Sequence, residues 1–472
     1  MKISVSLSYN LCEPLTYRVA GDSPRVGAGT RVLVPLGNRV ALAWVLAPES
    51  AYGGRLKDII GVVDDPFVPD DSLLEFTRRA ASAYFVSAGS LLDLGLPPSQ
   101  KGIQGLRLEV EGRERRLSEF TAAALGRMAA AGPLRLFFRS PAPAPPGPVA
   151  AELHRDGAPP SRLLLAPVRG REYREACERV LHAGGSVILL APDIATSAYW
   201  QSLIPASDPY HSAVRPAARE KTWREYRLGK SGVVCGGLSA LTLPLPRPGL
   251  LIIDRASSPL FARPSASPLR LDHLAEIRAQ AGKFPLLRGA SSHSCATFLH
   301  RDGPGVDDRR PPRDISCQVH ALKGGERGIP ESIMELVRQN TMAGRKTLVL
   351  VNRVQPSVHL FCRECRRIAS CPRCGGVLKV EEGRAASCRR CAFRSAGLED
   401  CPRCGRPLEP LQDISIDSLS RAVTRVCGEE AVLALTAAEL KDPAAAVAAA
   451  AEHPVVIATL AALSPHFQGM FA

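Results

Sequence analysis

At 472 residues the chain is too long for one hydrophobic core, which excludes a single small module and points to several domains of ordinary size. Hydrophobic residues make up 45% and charged residues 22%, a balance that excludes wholesale disorder. Sixty Lys and Arg against 46 Asp and Glu leave a formal charge of +14, which points to a polyanionic partner with nucleic acid as the leading candidate, although an Arg-rich composition also raises charge without any ligand.

The opening Met1 to Ser6 has no apolar core of signal-peptide length. No later run reaches the roughly 18 apolar residues that cross a bilayer, so a cytoplasmic protein without a membrane partner is expected. From residue 3 the pattern alternates apolar and polar positions, in Ile3 to Leu7, Thr30 to Pro35 and Val40 to Leu46, and these read as strands. A helix near Leu73 to Tyr84 closes this β-rich first domain, 1–102. Residues 103–150 form a winged-helix-like segment, with a strand at Leu106 to Val110 and a helix opened by Ser118 and closed by Gly132-Pro133. The Pro-rich run Ser140 to Pro148 reads as a stiff linker.

From Arg162 the pattern becomes apolar strands separated by helices: Leu163 to Leu165, a helix near Arg171 to His182, Ser186 to Ala191, Val233-Val234 and Leu250 to Asp254. Near-continuous apolar strands of this kind mark a parallel sheet covered on both faces, here assigned to 151–330. A further strand at Thr347 to Val351 and a resumed helix and strand pattern to the end make a partial second lobe, 331–361 and 405–472.

Interrupting that lobe, 362–404 carries four CxxC pairs: Cys362 and Cys365, Cys371 and Cys374, Cys388 and Cys391, Cys401 and Cys404. A CxxC turn lets both sulfurs reach one ion, so eight thiols make two complete tetrahedral sets, structural rather than catalytic because no ligand position stays open. The thirteen-residue gap between the second and third pairs suits a returning ribbon, which favours nested pairing: Cys371, Cys374, Cys388 and Cys391 on one zinc, Cys362, Cys365, Cys401 and Cys404 on the other. Gly375 and Gly405 supply the backbone freedom of a tight turn beneath the metal. His359, three residues before the first pair, reads as an ordinary, partly exposed histidine. Cys12, Cys177, Cys235, Cys295, Cys317 and Cys427 read as small buried hydrophobes.

A double knuckle of eight cysteines inserted after a strand ending in Asn352-Arg353 of a parallel α/β chain resembles the PriA family of replication-restart helicases. The likeness extends to Pro14 to Tyr17, Gly27 to Gly37, Leu56-Lys57 and Ala80 to Phe85, which resemble that family's domain for a free DNA 3′ end. The resemblance implies a multidomain α/β protein with a RecA-like helicase lobe, DNA contacts at Gly37 and Lys57, and a weaker polar contact at Thr16, where the family has an acid; Leu15 replaces its aromatic neighbour. It also implies branched or single-strand-containing DNA as partner, together with primosome and single-strand-binding proteins.

The nucleotide machinery departs from the family. A phosphate-binding loop needs glycine amides, a Lys and a Ser or Thr. After Leu165 this chain has Ala166-Pro167-Val168-Arg169-Gly170-Arg171, in which Arg171 mimics the lost positive charge at best. Leu251-Ile252-Ile253-Asp254-Arg255 stands where an Asp-Glu-Glu-His set is expected, so Asp254 is left to meet magnesium while Arg255 replaces the water-orienting carboxylate. Gly289 to Ser292 resembles a worn coupling motif, and the end at Ala472 implies that the later arginine-bearing motif and the family's C-terminal domain are missing. The resulting expectation is a DNA-binding pseudo-helicase of replication restart with two structural zinc ions and no catalytic or nucleotide-binding residues, ATP and magnesium not being expected. An active ATP-dependent 3′-to-5′ helicase and a zinc-ribbon scaffold for protein or RNA are the alternatives.

Overall fold

The computed structural model describes residues 1–472 except 9–10, 20–25, 65–68, 139–160, 167, 205–206, 228–231, 246–248, 262–268, 295–304, 311–329, 352–357, 381–384, 389, 396, 413–414, 437, 440–441, 460–461, 463–466, 468–469 and 471–472. The Pro-rich linker, Cys295, Cys317 and Asn352-Arg353 therefore lie outside the described residues. The chain divides into two compact units, Met1–Pro312 and Arg313–Ala472.

In the first unit, strands β1 (Lys2–Leu7), β3 (Arg31–Leu36) and β4 (Arg39–Ala47) fall on the three segments whose pattern reads as strand, although β3 and β4 are buried in near-continuous runs rather than alternately, and β2 (Leu15–Arg18) and β5 (Gly61–Asp64) are strands that the pattern does not mark. Helix α1 (Asp71–Tyr84) opens where the Asp70 carboxylate accepts from the Leu73 amide at 2.9 Å. Its buried residues Leu73, Leu74, Phe76, Thr77 and Ala80 recur at helical spacing, and α2 (Ala88–Leu94) follows. Strands β6 (Leu106–Val110) and β7 (Arg113–Arg116), helix α3 (Ala122–Ala131) and strand β8 (Arg135–Phe138) complete an eight-stranded sheet of order β2-β1-β4-β3-β5-β8-β6-β7. Thus 103–138 is hydrogen-bonded into the first sheet through the β5–β8 pair. Helix α3 starts later than Ser118 suggested: Thr121 is its cap, accepting from the Ala124 amide at 3.2 Å, while Ser118 lies in a 3-10 turn.

Strand β9 (Ser161–Leu165) begins the parallel sheet, followed by α4 (Gly170–His182), β10 (Ser186–Leu190), α5 (Ile194–Leu203), β11 (Ser207–Tyr210), α6 (Pro216–Arg227), β12 (Val233–Gly236), α7 (Leu238–Leu241), β13 (Gly249–Asp254), α8 (Leu271–Gly282), β14 (Leu286–Ala290) and β15 (Val306–Asp308). Its order is β11-β12-β10-β13-β14-β9-β15, with every pair parallel, as the apolar runs required. One core joins both parts of this unit: Leu73, Phe76 and Leu91 share a cluster with Ile188, Tyr210 and Leu274. The Tyr210 hydroxyl donates to the Gly95 carbonyl at 2.7 Å within that seam.

In the second unit, α9 (Glu331–Met342), β16 (Thr347–Leu350), α10 (Ile416–Cys427), β23 (Val432–Leu435), α11 (Pro443–Glu452) and β24 (Val455–Ala458) build a small parallel sheet of order β16-β24-β23. Between β16 and α10 lies an antiparallel insert of β17 (Val358–Cys362), β18 (Arg367–Ile368), β19 (Leu378–Val380), β20 (Ala386–Cys388), β21 (Arg394–Ser395) and β22 (Glu409–Gln412). Among the described residues no helix is long and apolar enough to cross a membrane.

Candidate DNA-binding, nucleotide-lobe and metal sites

Strand β2 lies at the edge of the first sheet and organises the three expected DNA contacts. Thr16 pairs with Ser4 across β1, and its hydroxyl shares a 2.8 Å hydrogen bond with the Ser50 hydroxyl. The next residue, Tyr17, donates its hydroxyl to the Pro35 carbonyl at 2.9 Å, two positions before Gly37 in the β3–β4 turn, where φ is +59°. Exposed Lys57 follows β2 on its other side, its carbonyl accepting from the Arg18 amide at 2.9 Å. Each of the three thus lies within two residues of a contact made by Thr16, Tyr17 or Arg18. Neighbouring Asp58 is held by the Arg18 guanidinium at 2.5 and 2.8 Å, and that hydrogen bond keeps its carboxyl below the usual range.

In the parallel sheet, the turn between β9 and α4 carries Arg169, whose side chain runs inward to Asp254 at the end of β13. Arg169 donates to Asp254 from Nε at 2.9 Å and Nη2 at 2.8 Å. The Tyr173 hydroxyl reaches the same oxygen at 3.1 Å, and the Trp200 indole reaches the other oxygen at 2.9 Å. Arg169 also donates to the Ala166 carbonyl and to Ser291 Oγ at 3.3 Å. Asp254 is fully buried and Arg169 nearly so. Burial works against the Arg169 charge, but the Asp254 carboxylate outweighs it and the guanidinium is held above its usual range. Burial also raises the Tyr173 hydroxyl well above the ordinary range, so it stays a donor.

The reading that left Asp254 free to meet magnesium is therefore corrected: its oxygens are occupied by three side chains of the chain itself. Arg171, the supposed mimic, points outward to Glu175 at 2.8 Å with 86% of its side chain exposed. Sequence reasoning missed Arg169, Tyr173 and Trp200, which stand 85, 81 and 54 positions from Asp254 with no spacing to join them. Arg255 takes the left-handed conformation at φ +53° and approaches Asp193 only to 3.9 Å.

The insert gathers the cysteines in the nested order. Pairing of β17 with β22, which sets Phe361 opposite Glu409, returns the last knuckle to the first. Pairing of β19 with β20, with Leu378 opposite Cys388, brings the middle two together. The Sγ atoms of Cys362, Cys365, Cys401 and Cys404, and those of Cys371, Cys374, Cys388 and Cys391, lie within 4.8 Å of one another in each set. Individual separations are 3.5 Å for Cys362–Cys404, 3.6 Å for Cys371–Cys391 and 3.5 Å for Cys374–Cys388. A tetrahedron with metal–sulfur bonds of about 2.3 Å has edges of about 3.8 Å, so both sets fit one ion each. Backbone amides aimed at Cys388 and Cys401 lower those thiols, whereas Cys365, Cys391 and Cys404 are raised by the sulfurs and burial around them, so each set shares its charge unevenly among close thiols.

In each knuckle the residue after the second Cys is left-handed: Arg366 at φ +52°, Gly375 at +70°, Ala392 at +56° and Gly405 at +68°. The amides of Gly375, Ala392 and Gly405 close the turn onto the carbonyls of Cys371, Cys388 and Cys401, each at 2.9 Å. Two readings need correction. His359 is buried, with Nδ1 3.0 Å from the Leu378 carbonyl, because β17 turns it under the insert. Cys12 is exposed, its thiol donating to the Phe85 carbonyl at 2.8 Å, whereas Cys177 and Cys235 are buried as expected and Cys427 is half-buried.

Residues 3–97 match the family model described as the 3′ DNA-binding domain of PriA. The chain is 26% identical over 425 residues to the replication restart protein PriA of Treponema pallidum, covering 84% of this chain and 60% of that protein. It is 26% identical over 294 residues to the replication restart protein PriA of a Synechocystis species, covering 56% of this chain and 35% of that protein. The chain thus spans 60% or less of the length of these relatives. Among solved structures, RecG bound to a three-way DNA junction overlaps 64% of this chain and 33% of that one at a TM-score of 0.33 and 11% identity, too loose to define a shared site.

Proposed function

We propose that this chain, which is PriA-like, is a cytoplasmic DNA-binding protein of replication restart that engages branched or single-strand-containing DNA and does not hydrolyse ATP. The match of residues 3–97 to a 3′ DNA-binding domain supports the DNA reading. The observation that carries the second half is the closed contact of Asp254 with Arg169, Tyr173 and Trp200. Phosphoryl transfer rests almost wholly on positioned cations and metal ions. Here Arg169, in the turn after β9, is paired with the carboxylate that a magnesium ion would need.

In this reading residues 1–102 hold DNA through Thr16, Gly37 and Lys57, 103–150 form a winged-helix-like connection, and 151–330 serve as a helicase-like lobe without turnover. The partial second lobe, 331–361 and 405–472, carries the insert 362–404. The two cysteine tetrads hold structural zinc, which when bound fixes the fold of the insert. Primosome and single-strand-binding proteins are the protein partners that this replication-restart reading implies.

The test combines forked-DNA anisotropy with an ATPase assay on the full chain. Expected are DNA binding that weakens steeply with salt, because each neutralised phosphate releases counterions, and no turnover above background. DNA-stimulated hydrolysis abolished by Asp254→Ala would overturn the non-hydrolysing assignment, and no binding to any DNA at low salt would overturn the DNA assignment.

A further inference from the structure

The loop after β4 runs alongside edge strand β2 and carries Tyr52, whose side chain is 54% exposed. This ring does not float free in solvent. Its hydroxyl and ring carbons lie over Gly54, and a Cβ built there would sit 2.4 to 2.6 Å from them. The tip of the ring thus lies close over Gly54, and a side chain there would push it aside. At its base, the Tyr52 amide donates to Ser50 Oγ at 3.3 Å, and the Tyr52 carbonyl accepts from Lys2 Nζ at 3.0 Å. Ser50 in turn shares its hydroxyl with Thr16 at 2.8 Å, which fixes the loop against β2. Lys57, further along the same loop, is exposed.

An aromatic ring beside a pair of hydroxyls, with the Lys2 ammonium at its base and an exposed lysine on the same loop, is the chemistry of a single-strand nucleotide subsite. Bases of any identity stack on the ring, hydroxyls bond sugar or phosphate oxygens, and the ammonium groups meet the phosphate. A tyrosine resting on a nearby glycine by chance would need neither the Ser50 and Lys2 anchors nor the shared hydroxyl bond to Thr16. We propose that Tyr52, seated on Gly54, is a stacking platform for an unpaired base of single-stranded DNA, with Thr16 and Ser50 on its sugar-phosphate side. The inference rests on the DNA-binding reading above and adds Tyr52, Ser50 and Gly54 to the residues that serve it.

The test uses the full chain and an oligonucleotide with a single-stranded 3′ overhang carrying 2-aminopurine at its last position, titrated at several salt concentrations. Tyr52→Ala is expected to weaken binding about ten-fold, in line with the loss of one base–aromatic stack, and to abolish quenching of the 2-aminopurine. The slope of affinity against salt should stay unchanged, since no phosphate contact is lost. Tyr52→Trp should restore both affinity and quenching, which a loop-folding role would not. Gly54→Ala, which lifts the ring, should mimic Tyr52→Ala in part. Unchanged affinity and quenching in Tyr52→Ala, with wild type binding normally, would overturn the platform alone; wild type that binds no overhang at all would overturn the DNA reading with it.

Discussion

Arg169 and Asp254 form an ion pair 85 positions apart in sequence, with both side chains almost wholly removed from water. In open parallel α/β sheets ligands bind beyond the C-terminal ends of the strands. Here the carboxylate at that end of β13 is bonded by Arg169, Tyr173 and Trp200 of the chain itself.

Breaking this pair from one side leaves a buried charge without compensation. Arg169→Met is therefore expected to cost about 3–5 kcal/mol in urea denaturation, far more than loss of an exposed pair such as Arg171–Glu175. The double variant Arg169→Met with Asp254→Leu should recover much of the loss, because apolar groups of similar size need no partner. If Asp254 were kept for magnesium, the single Arg169 variant would instead be stabilised by millimolar magnesium, which the present geometry does not predict.

The four knuckles give a second test. All place a left-handed residue after the second Cys, yet only two use glycine there. A left-handed non-glycine residue costs about 1–2 kcal/mol. Ala392→Gly and Arg366→Gly are thus expected to stabilise the insert by about 1 kcal/mol, whereas Gly375→Ala should destabilise it by a similar amount. Thermal unfolding in the presence of zinc, and the chelator concentration needed to strip the metal, read the change directly.

Nested pairing has its own signature in metal stoichiometry. Cys388→Ser should lose one ion and leave the set of Cys362, Cys365, Cys401 and Cys404 loaded, and Cys401→Ser should do the reverse, each keeping one zinc of two. Coupled loss of both ions from either variant, or wild type holding fewer than two under reducing conditions, would contradict two separate tetrads.

Much of this could be read from sequence because the determinants were local or periodic. The apolar runs that build β10, β12 and β13 are long enough to specify a doubly covered parallel sheet. The unequal gaps between CxxC pairs pointed to the nested tetrads, since only a long gap lets a ribbon return. What stayed hidden depended on side-chain direction across the fold. Arg169 and Arg171 are two residues apart, but a helix start turns one into the core toward Asp254 and the other into solvent toward Glu175. No linear pattern distinguishes them. Tyr52 carries no linear signal for the same reason: its carbonyl is held by Lys2 and its neighbour Ser50 by Thr16, both from distant strands.

Burial of two isolated thiols makes the parallel sheet sensitive to alkali. Desolvation pushes both Cys177 and Cys235 up to about 12, from an ordinary value of 9.0 that the unfolded chain keeps. Below pH 9 both states hold these protons and the thiols contribute no pH dependence. Between about 9 and 12 the unfolded state releases protons that the folded state retains, so stability falls as pH rises, and it levels off only above the folded value. Each thiol is expected to contribute at most about 1.4 kcal/mol per pH unit across that window, less where the folded interior relaxes. Burial raises the Tyr173 and Tyr226 hydroxyls in the same sense, which adds to the slope at the alkaline end. Comparison of urea midpoints at pH 8 and pH 10 for wild type and for Cys177→Ala with Cys235→Ala isolates the thiol share: the double variant should lose less stability over that interval. Equal losses in the two proteins would mean that these thiols ionise in the folded state as readily as in the unfolded chain, and a thiol reagent would then label both without unfolding.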